Sequence, residues 1–132
     1  MAAKSVAGKL GITAKSSIWI SDQTHESLIG DLPEGAAYTP LLPDAAVALI
    51  VVRDAASLRS ELADVRDAIT LPPAVWIVYP KGNVTDINRD SIWPVLAEYG
   101  MRPNGQIAVD DTWSSLRFRA LRPGEDPFTG GR

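Results

Sequence analysis

Ala46-Val47-Ala48-Leu49-Ile50-Val51-Val52-Arg53-Asp54 decides the fold. The run from Ala46 to Val52 is apolar at every position, so it lacks the alternation of a strand with one wet face. A strand of that kind is covered on both faces, as in parallel sheets flanked by helices. Asp54 then stands where a helix N-cap belongs, ahead of Ala55, Ala56 and Ser57. Leu58, Leu62, Val65 and Ile69 recur at spacings of four, three and four, which predicts one apolar helical stripe. Pro72 and Pro73 end it. Val75-Trp76-Ile77-Val78-Tyr79 is a second strand, apolar on both parities. Strand, amphipathic helix and strand in this order predict a parallel pair at the centre of an α/β sheet.

Outward from this unit the signals are shorter. Toward the C-terminus, a polar loop from Pro80 to Asp90 leads to a helix carrying Ile92, Val95, Leu96 and Tyr99, with Gly100 as its stop. Pro94 is expected in the first turn, because an interior proline breaks a helix. Gln106–Val109 and Leu116–Leu121 read as strands, and the short link from Asp110 to Ser115 predicts an antiparallel hairpin. Toward the N-terminus, Ser17–Ser21 is a strand, Asp22–Gly30 a loop or single helical turn, and Tyr38-Thr39 a brief strand. The first residues, with three lysines and no acid, have the charge of a transit peptide, yet they run directly into the first strand. The expected architecture is one α/β domain over residues 1–122, a reduced Rossmann-like, mainly parallel sheet flanked by helices with a C-terminal antiparallel hairpin. Residues 123–132 have the composition of a flexible tail.

Composition removes several chemistries. The 132 residues suit a single domain. Thirteen basic against 16 acidic side chains give a net charge of −3, which lacks the electrostatic attraction a nucleic-acid binder uses. The chain contains no cysteine, so thiolate catalysis and cysteine-ligated metals are absent, and one histidine, His25, excludes a two-histidine metal site. No metal and no cofactor is expected. Nor does any stretch reach the roughly 20 apolar residues of a membrane helix, so no membrane partner is expected and a cytoplasmic location is the default.

Ligands of open α/β sheets bind beyond the carboxyl ends of the strands. Those ends carry Ser21 and Asp22, Arg53 and Asp54, the loop from Lys81 to Asp90, and Asp110 with Asp111. The candidate binding residues are Lys81, Asp86, Asn88, Arg89, Asp110, Asp111 and Trp113. Gly82 lets the backbone turn so that Lys81 reaches toward Asp110 or Asp111. Arg89 offers a fork that grips carboxylate or phosphate. Each has a plainer reading: Asp86 or Asn88 caps the next helix or its lead-in turn, Arg89 pairs with Asp90, and Asp110 and Asp111 are hairpin-loop acids. The Lys81-Gly82 pair lacks the glycine run of a phosphate loop, and Asp22-Gln23-Thr24-His25-Glu26 lacks the glycines of a dinucleotide fingerprint. His25 beside Glu26 and Asp22 is an acid–base candidate whose plainer reading is an exposed loop histidine. Ser91, Ser114 and Ser115 have no nucleophile-elbow context. Trp19, Trp76 and Trp93 fit core positions, while Trp113 is placed to cover a cleft or meet a partner.

The stretches Val75-Trp-Ile-Val-Tyr-Pro-Lys-Gly82, Thr85-Asp-Ile-Asn-Arg-Asp90, Trp93-Pro94 and Val109-Asp-Asp-Thr-Trp-Ser-Ser-Leu-Arg-Phe-Arg119 resemble a family of small bacterial proteins classified as a domain of unknown function. Gly8–Ile12 and Gly30–Gly35 look like that family too, so the resemblance spans residues 8–122. It implies a bacterial, cytoplasmic origin and carries no activity over. More coarsely, the order of elements resembles the later half of Rossmann-like methyltransferases, which bind their methyl donor on a glycine-rich loop after the first strand. This chain has Ser21–Glu26 there.

Together these readings favour a non-catalytic binding or regulatory module on a degenerate Rossmann-like fold, meeting a protein partner or a small anionic ligand. The alternative is a small enzyme or anionic small-molecule binder that uses the Lys81–Asp90 loop with Asp110 and Asp111.

Overall fold

A computed structural model describes residues 6–82 and 84–126. Six strands form one mixed sheet: β1 (Ser17–Ile20), β2 (Ala37–Tyr38), β3 (Val47–Val51), β4 (Ala74–Pro80), β5 (Met101–Ala108) and β6 (Trp113–Ala120). Their spatial order is β2-β1-β3-β4-β6-β5. The first four are parallel, and β6 lies antiparallel between β4 and β5. β3 and β4 are central neighbours, with Val47 opposite Ala74 and Val51 opposite Val78. The α/β, Rossmann-like architecture with its closing antiparallel region is the one the apolar strands predict.

Both faces of the central strands are covered, as their unbroken apolar runs require. One face packs Ala48, Ile50, Ile77, Tyr79, Leu116 and Phe118 under two helices. These are α2 (Ala55–Asp64) and α3 (Arg89–Ala97), which follow a short N-terminal turn of helix, α1 (Val6–Lys9). The opposite face packs Ile18, Leu49, Val51, Trp76 and Val78 under the N-terminal segment, whose Ala7, Leu10 and Ile12 are buried. The Trp76 indole N–H donates to the Leu10 carbonyl at 3.0 Å, tying that segment down.

Capping boxes start both longer helices. The Asp54 carboxylate accepts from Ser57 N at 2.8 Å and Ser57 Oγ accepts from Asp54 N at 3.1 Å. Asn88 and Ser91 do the same for α3 at 3.0 and 2.9 Å. Each box satisfies backbone donors that the first helical turn leaves open.

Three local expectations change. α2 stops at Asp64, short of the predicted stripe, and Val65–Leu71 continues as turns that keep Ile69 fully buried. Pro94 lies at the sixth position of α3, not in its first turn. Its missing N–H would have bonded the carbonyl of Asp90, an exposed residue that water reaches, and buried Ile92, Val95 and Leu96 hold the helix to the core. β5 begins at Met101 and includes Pro103, with a register shift between Pro103 and Gly105. An outermost strand is where a sheet tolerates both.

Of the expected tail, residues 127–132 lie outside the described residues. Glu125 is held firmly: it accepts from Arg119 at 2.8 and 2.7 Å, from Arg102 at 3.1 Å and from the Arg122 amide at 2.9 Å.

Candidate functional site

Strand parity builds the floor of the main cavity. Tyr79 on β4 is opposite Ser114 on β6, and Leu116 is opposite Gln106 on β5. Alternation places Tyr79, Ser114 and Gln106 on the helix-bearing face. There α3 begins too late to cover them. The opening is a cavity of about 470 Å³ lined by Tyr79, Pro80, Lys81, Gly82, Asn88, Arg89, Asp90, Gln106 and Ser114. A second compartment of about 380 Å³ shares Arg89, Asp90 and Gln106 with it and continues past Trp93, Pro103, Gly105 and Leu116. The two form one groove between α3 and the hairpin, each within the size range of small-molecule sites.

The loop beyond β4 is set by its backbone. Lys81 N donates to the Thr112 carbonyl at 2.8 Å, extending the pairing of β4 with β6 past its last ladder pair. Gly82 has φ +76°, a left-handed turn that favours glycine, and this turn brings the loop over the groove. Across the mouth, α3 presents its amino end, where amide groups and the helix dipole favour anions. The Arg89 side chain is 60% exposed and its Nε lies 3.4 Å from Asp90 Oδ1, a weak surface pair that leaves the fork available. On the floor, Tyr79 is buried, and its hydroxyl oxygen accepts from Gln106 Nε2 at 3.4 Å. Buried Ser114 donates through Oγ to the Ile107 carbonyl at 3.2 Å. The groove thus combines two cations, amide and hydroxyl donors, and one exposed carboxylate.

The sequence candidates separate into three groups. Lys81, Asn88 and Arg89 meet at the groove. Asp86 does not line it: its Oδ1 accepts from Ala55 N at 2.8 Å, so it caps the first residue of α2 from 31 positions away. Asp110 accepts from Thr112 N and Trp113 N, both at 2.8 Å, and closes its own hairpin turn, while Asp111 is an exposed residue of that turn. Neither carboxylate faces the groove with Lys81. Trp113 packs on the opposite face, its ring 5.7 Å from that of His25 with planes 68° apart. Tyr79, Asp90, Trp93, Gln106 and Ser114 were missing from the sequence candidates; matched parity on adjacent strands is the signal that would have found the floor.

His25 is in a second cluster at the end of β1. A short 3₁₀ helix, Gln23–Leu28, follows Asp22, whose carboxylate caps it by accepting from the Thr24 amide at 2.9 Å. The Thr24 hydroxyl and amide, together with nearby His25 and Arg53, hold that carboxyl below the usual range. His25 Nδ1 lies 3.4 Å from Asp22 Oδ2, with the imidazole side chain 17% exposed. Beneath it the space toward the carboxyl ends of β1, β3 and β4 is packed by Val6, Leu10, Ile20, Leu28, Ile29, Val51, Val78 and Val109, leaving about 10 Å³. This is the switch point of the sheet, from which the chain passes to β2 on one side and β3 on the other. Among the described residues no three metal-ligating side chains cluster, and no helix is long and apolar enough to cross a membrane.

Neither a family model nor a curated protein matches the sequence. Solved structures do resemble the fold. A protein in the NADB-Rossmann superfamily from Streptococcus agalactiae aligns over 98% of this chain and 72% of its own, with 8% identity and a TM-score of 0.58. Streptococcus pneumoniae Sp1610, provisionally assigned as a tRNA (m1A22) methyltransferase, aligns over 95% of this chain and 70% of its own, with 10% identity and a TM-score of 0.55. At these identities the likeness is one of fold alone, and the chain has a Rossmann-like fold.

Proposed function

We propose that the protein is a non-catalytic binding module of the cytoplasm that takes a small phosphate- or carboxylate-bearing ligand in the groove between α3 and the β5–β6 hairpin. The observation that carries this reading is the 470 Å³ cavity, which gathers Lys81, Arg89 and the amino end of α3 over a floor of hydroxyl and amide groups. Charge-assisted hydrogen bonds from an arginine fork and helix amides are the common way of holding such an anion. Among the described residues of the lining the one carboxylate is Asp90, which is 77% exposed and turned toward Arg89. Binding at the switch point, as the fold likeness would imply for S-adenosylmethionine or a dinucleotide, is disfavoured by the side chains that fill that crevice.

Amide chemical-shift titration with inorganic phosphate and with succinate tests this. The expected outcome is saturable shifts at Lys81, Gly82, Arg89 and Asp90 with either ion. Lys81→Ala and Arg89→Ala should abolish them while leaving the melting temperature in place. Shifts spread over all basic residues, or none at the groove, overturn the reading.

A further inference from the structure

The groove continues into a second compartment whose added walls are Trp93, Pro103, Gly105 and Leu116, and on this basis we infer that its ligand is an anion joined to a flat apolar body, such as an aryl phosphate. This rests on the anion-binding reading above and adds what lies beyond the charged head. Past Arg89, Asp90 and Gln106 the lining changes from Lys81, Asn88 and Ser114 to Trp93, Pro103, Gly105 and Leu116. A lone phosphate fills only a small part of the first compartment and leaves the second, about 380 Å³, unused. An anion held by Lys81 and Arg89, with a ring seated against Trp93, Pro103 and Leu116, would fix both position and direction of a bound molecule.

The fold explains the two halves. Tyr79 and Ser114 end the first compartment because they lie at the carboxyl edge of the sheet, where β6 begins after its turn. Trp93 lies one helical turn beyond Arg89, so the helix that presents the fork also presents an indole four residues on. The register shift between Pro103 and Gly105 bends the facing strand, and the backbone at Gly105 forms part of that wall. An indole and a proline ring on opposing walls suit a planar ring better than a flexible chain. The floor adds one further preference. Buried Tyr79 receives a hydrogen bond from Gln106 and has no acceptor for its own proton among the described residues, so a ligand oxygen would complete it.

Titration of ¹⁵N-labelled protein with inorganic phosphate, phenyl phosphate and phenol tests the inference. Phenyl phosphate should bind at least tenfold more tightly than phosphate and shift Trp93, Gly105 and Leu116 in addition to Lys81 and Arg89. Trp93→Leu should remove that advantage and leave phosphate affinity unchanged, and Trp93→Phe, which keeps a ring, should restore most of it; thermal melts confirm that each variant folds. Equal affinity for the two phosphates, with Lys81 and Arg89 still shifting, overturns the inference and leaves the anion reading standing. If neither phosphate moves a groove amide, the anion reading fails and the inference with it. Phenol binding alone at Trp93, without a contribution from phosphate, also overturns it.

Discussion

Two places at the carboxyl edge of this sheet differ in what covers them. The crevice between β1 and β3 is where the topology reverses, yet the N-terminal segment and the turn of 3₁₀ helix carrying His25 fill it to about 10 Å³. The space beyond β4 is no switch point, yet it opens into a groove with compartments of about 470 and 380 Å³. Topology makes a crevice available at the first place, and side chains decide whether it stays open. After β1 the chain has Leu28 and Ile29 ready to bury; after β4 it has Lys81 and Gly82, with Asp86 drawn away to α2. The likeness to Rossmann-like folds therefore locates the sheet and leaves the ligand's position to local chemistry.

The largest test of the contrast is at the closed side. Trp76 anchors the N-terminal segment through Leu10 and is only 2% exposed. Trp76→Ala should cost about 3–5 kcal/mol in denaturant melts, the range for deleting a buried aromatic. A loss below about 1 kcal/mol would show that the segment does not seal that face. Next is the cap that crosses between the two regions. Asp86→Ala should destabilise by about 1 kcal/mol, since it orphans the Ala55 amide. If Asp86→Ala instead left stability unchanged and removed anion binding, the residue would belong to the groove. The smallest neutral-pH effect is expected at the open side, where Arg89→Ala should change stability by no more than about 0.5 kcal/mol, because its pair with Asp90 is exposed.

A pH test separates the groove from the hairpin's other end. The Arg119 fork and the Arg122 amide pull the Glu125 carboxyl down to about 2. A carboxyl lowered by folding contributes stability above its unfolded value, and that contribution is lost as pH falls toward the folded value. The melting temperature should thus decline between about pH 4.5 and 2 in part through Glu125. Glu125→Gln should flatten this limb without altering phosphate binding at Arg89. An unchanged acid limb would mean that Glu125 is not held in solution.

The sequence is most readable where one residue pattern fixes one structural role. Continuous apolar runs mark β3 and β4, and Asp54 marks the start of α2; α3 ends at Ala97, before the expected stop at Gly100, whose φ of +75° closes the turn that leads into β5. The start of β5 was hidden because Arg102-Pro103-Asn104-Gly105 has loop composition and gains its pairing only from β6. At the site, the loop with Lys81, Asn88 and Arg89 is visible because it follows a strong strand. Its floor is not, since Tyr79, Ser114 and Gln106 converge through strand register over 35 positions of chain. Likewise, Asp86 shows no linear sign that its partner is Ala55.

The irregularity of β5 has a consequence for how copies of the chain meet one another. A straight eight-residue edge strand is a template for adding a neighbouring chain, the first step of sheet aggregation. Pro103 removes one backbone donor from that template, and the shift at Gly105 puts the following donors out of step. The same irregularity that shapes one wall of the groove therefore guards the edge at which, among the described residues, the sheet ends.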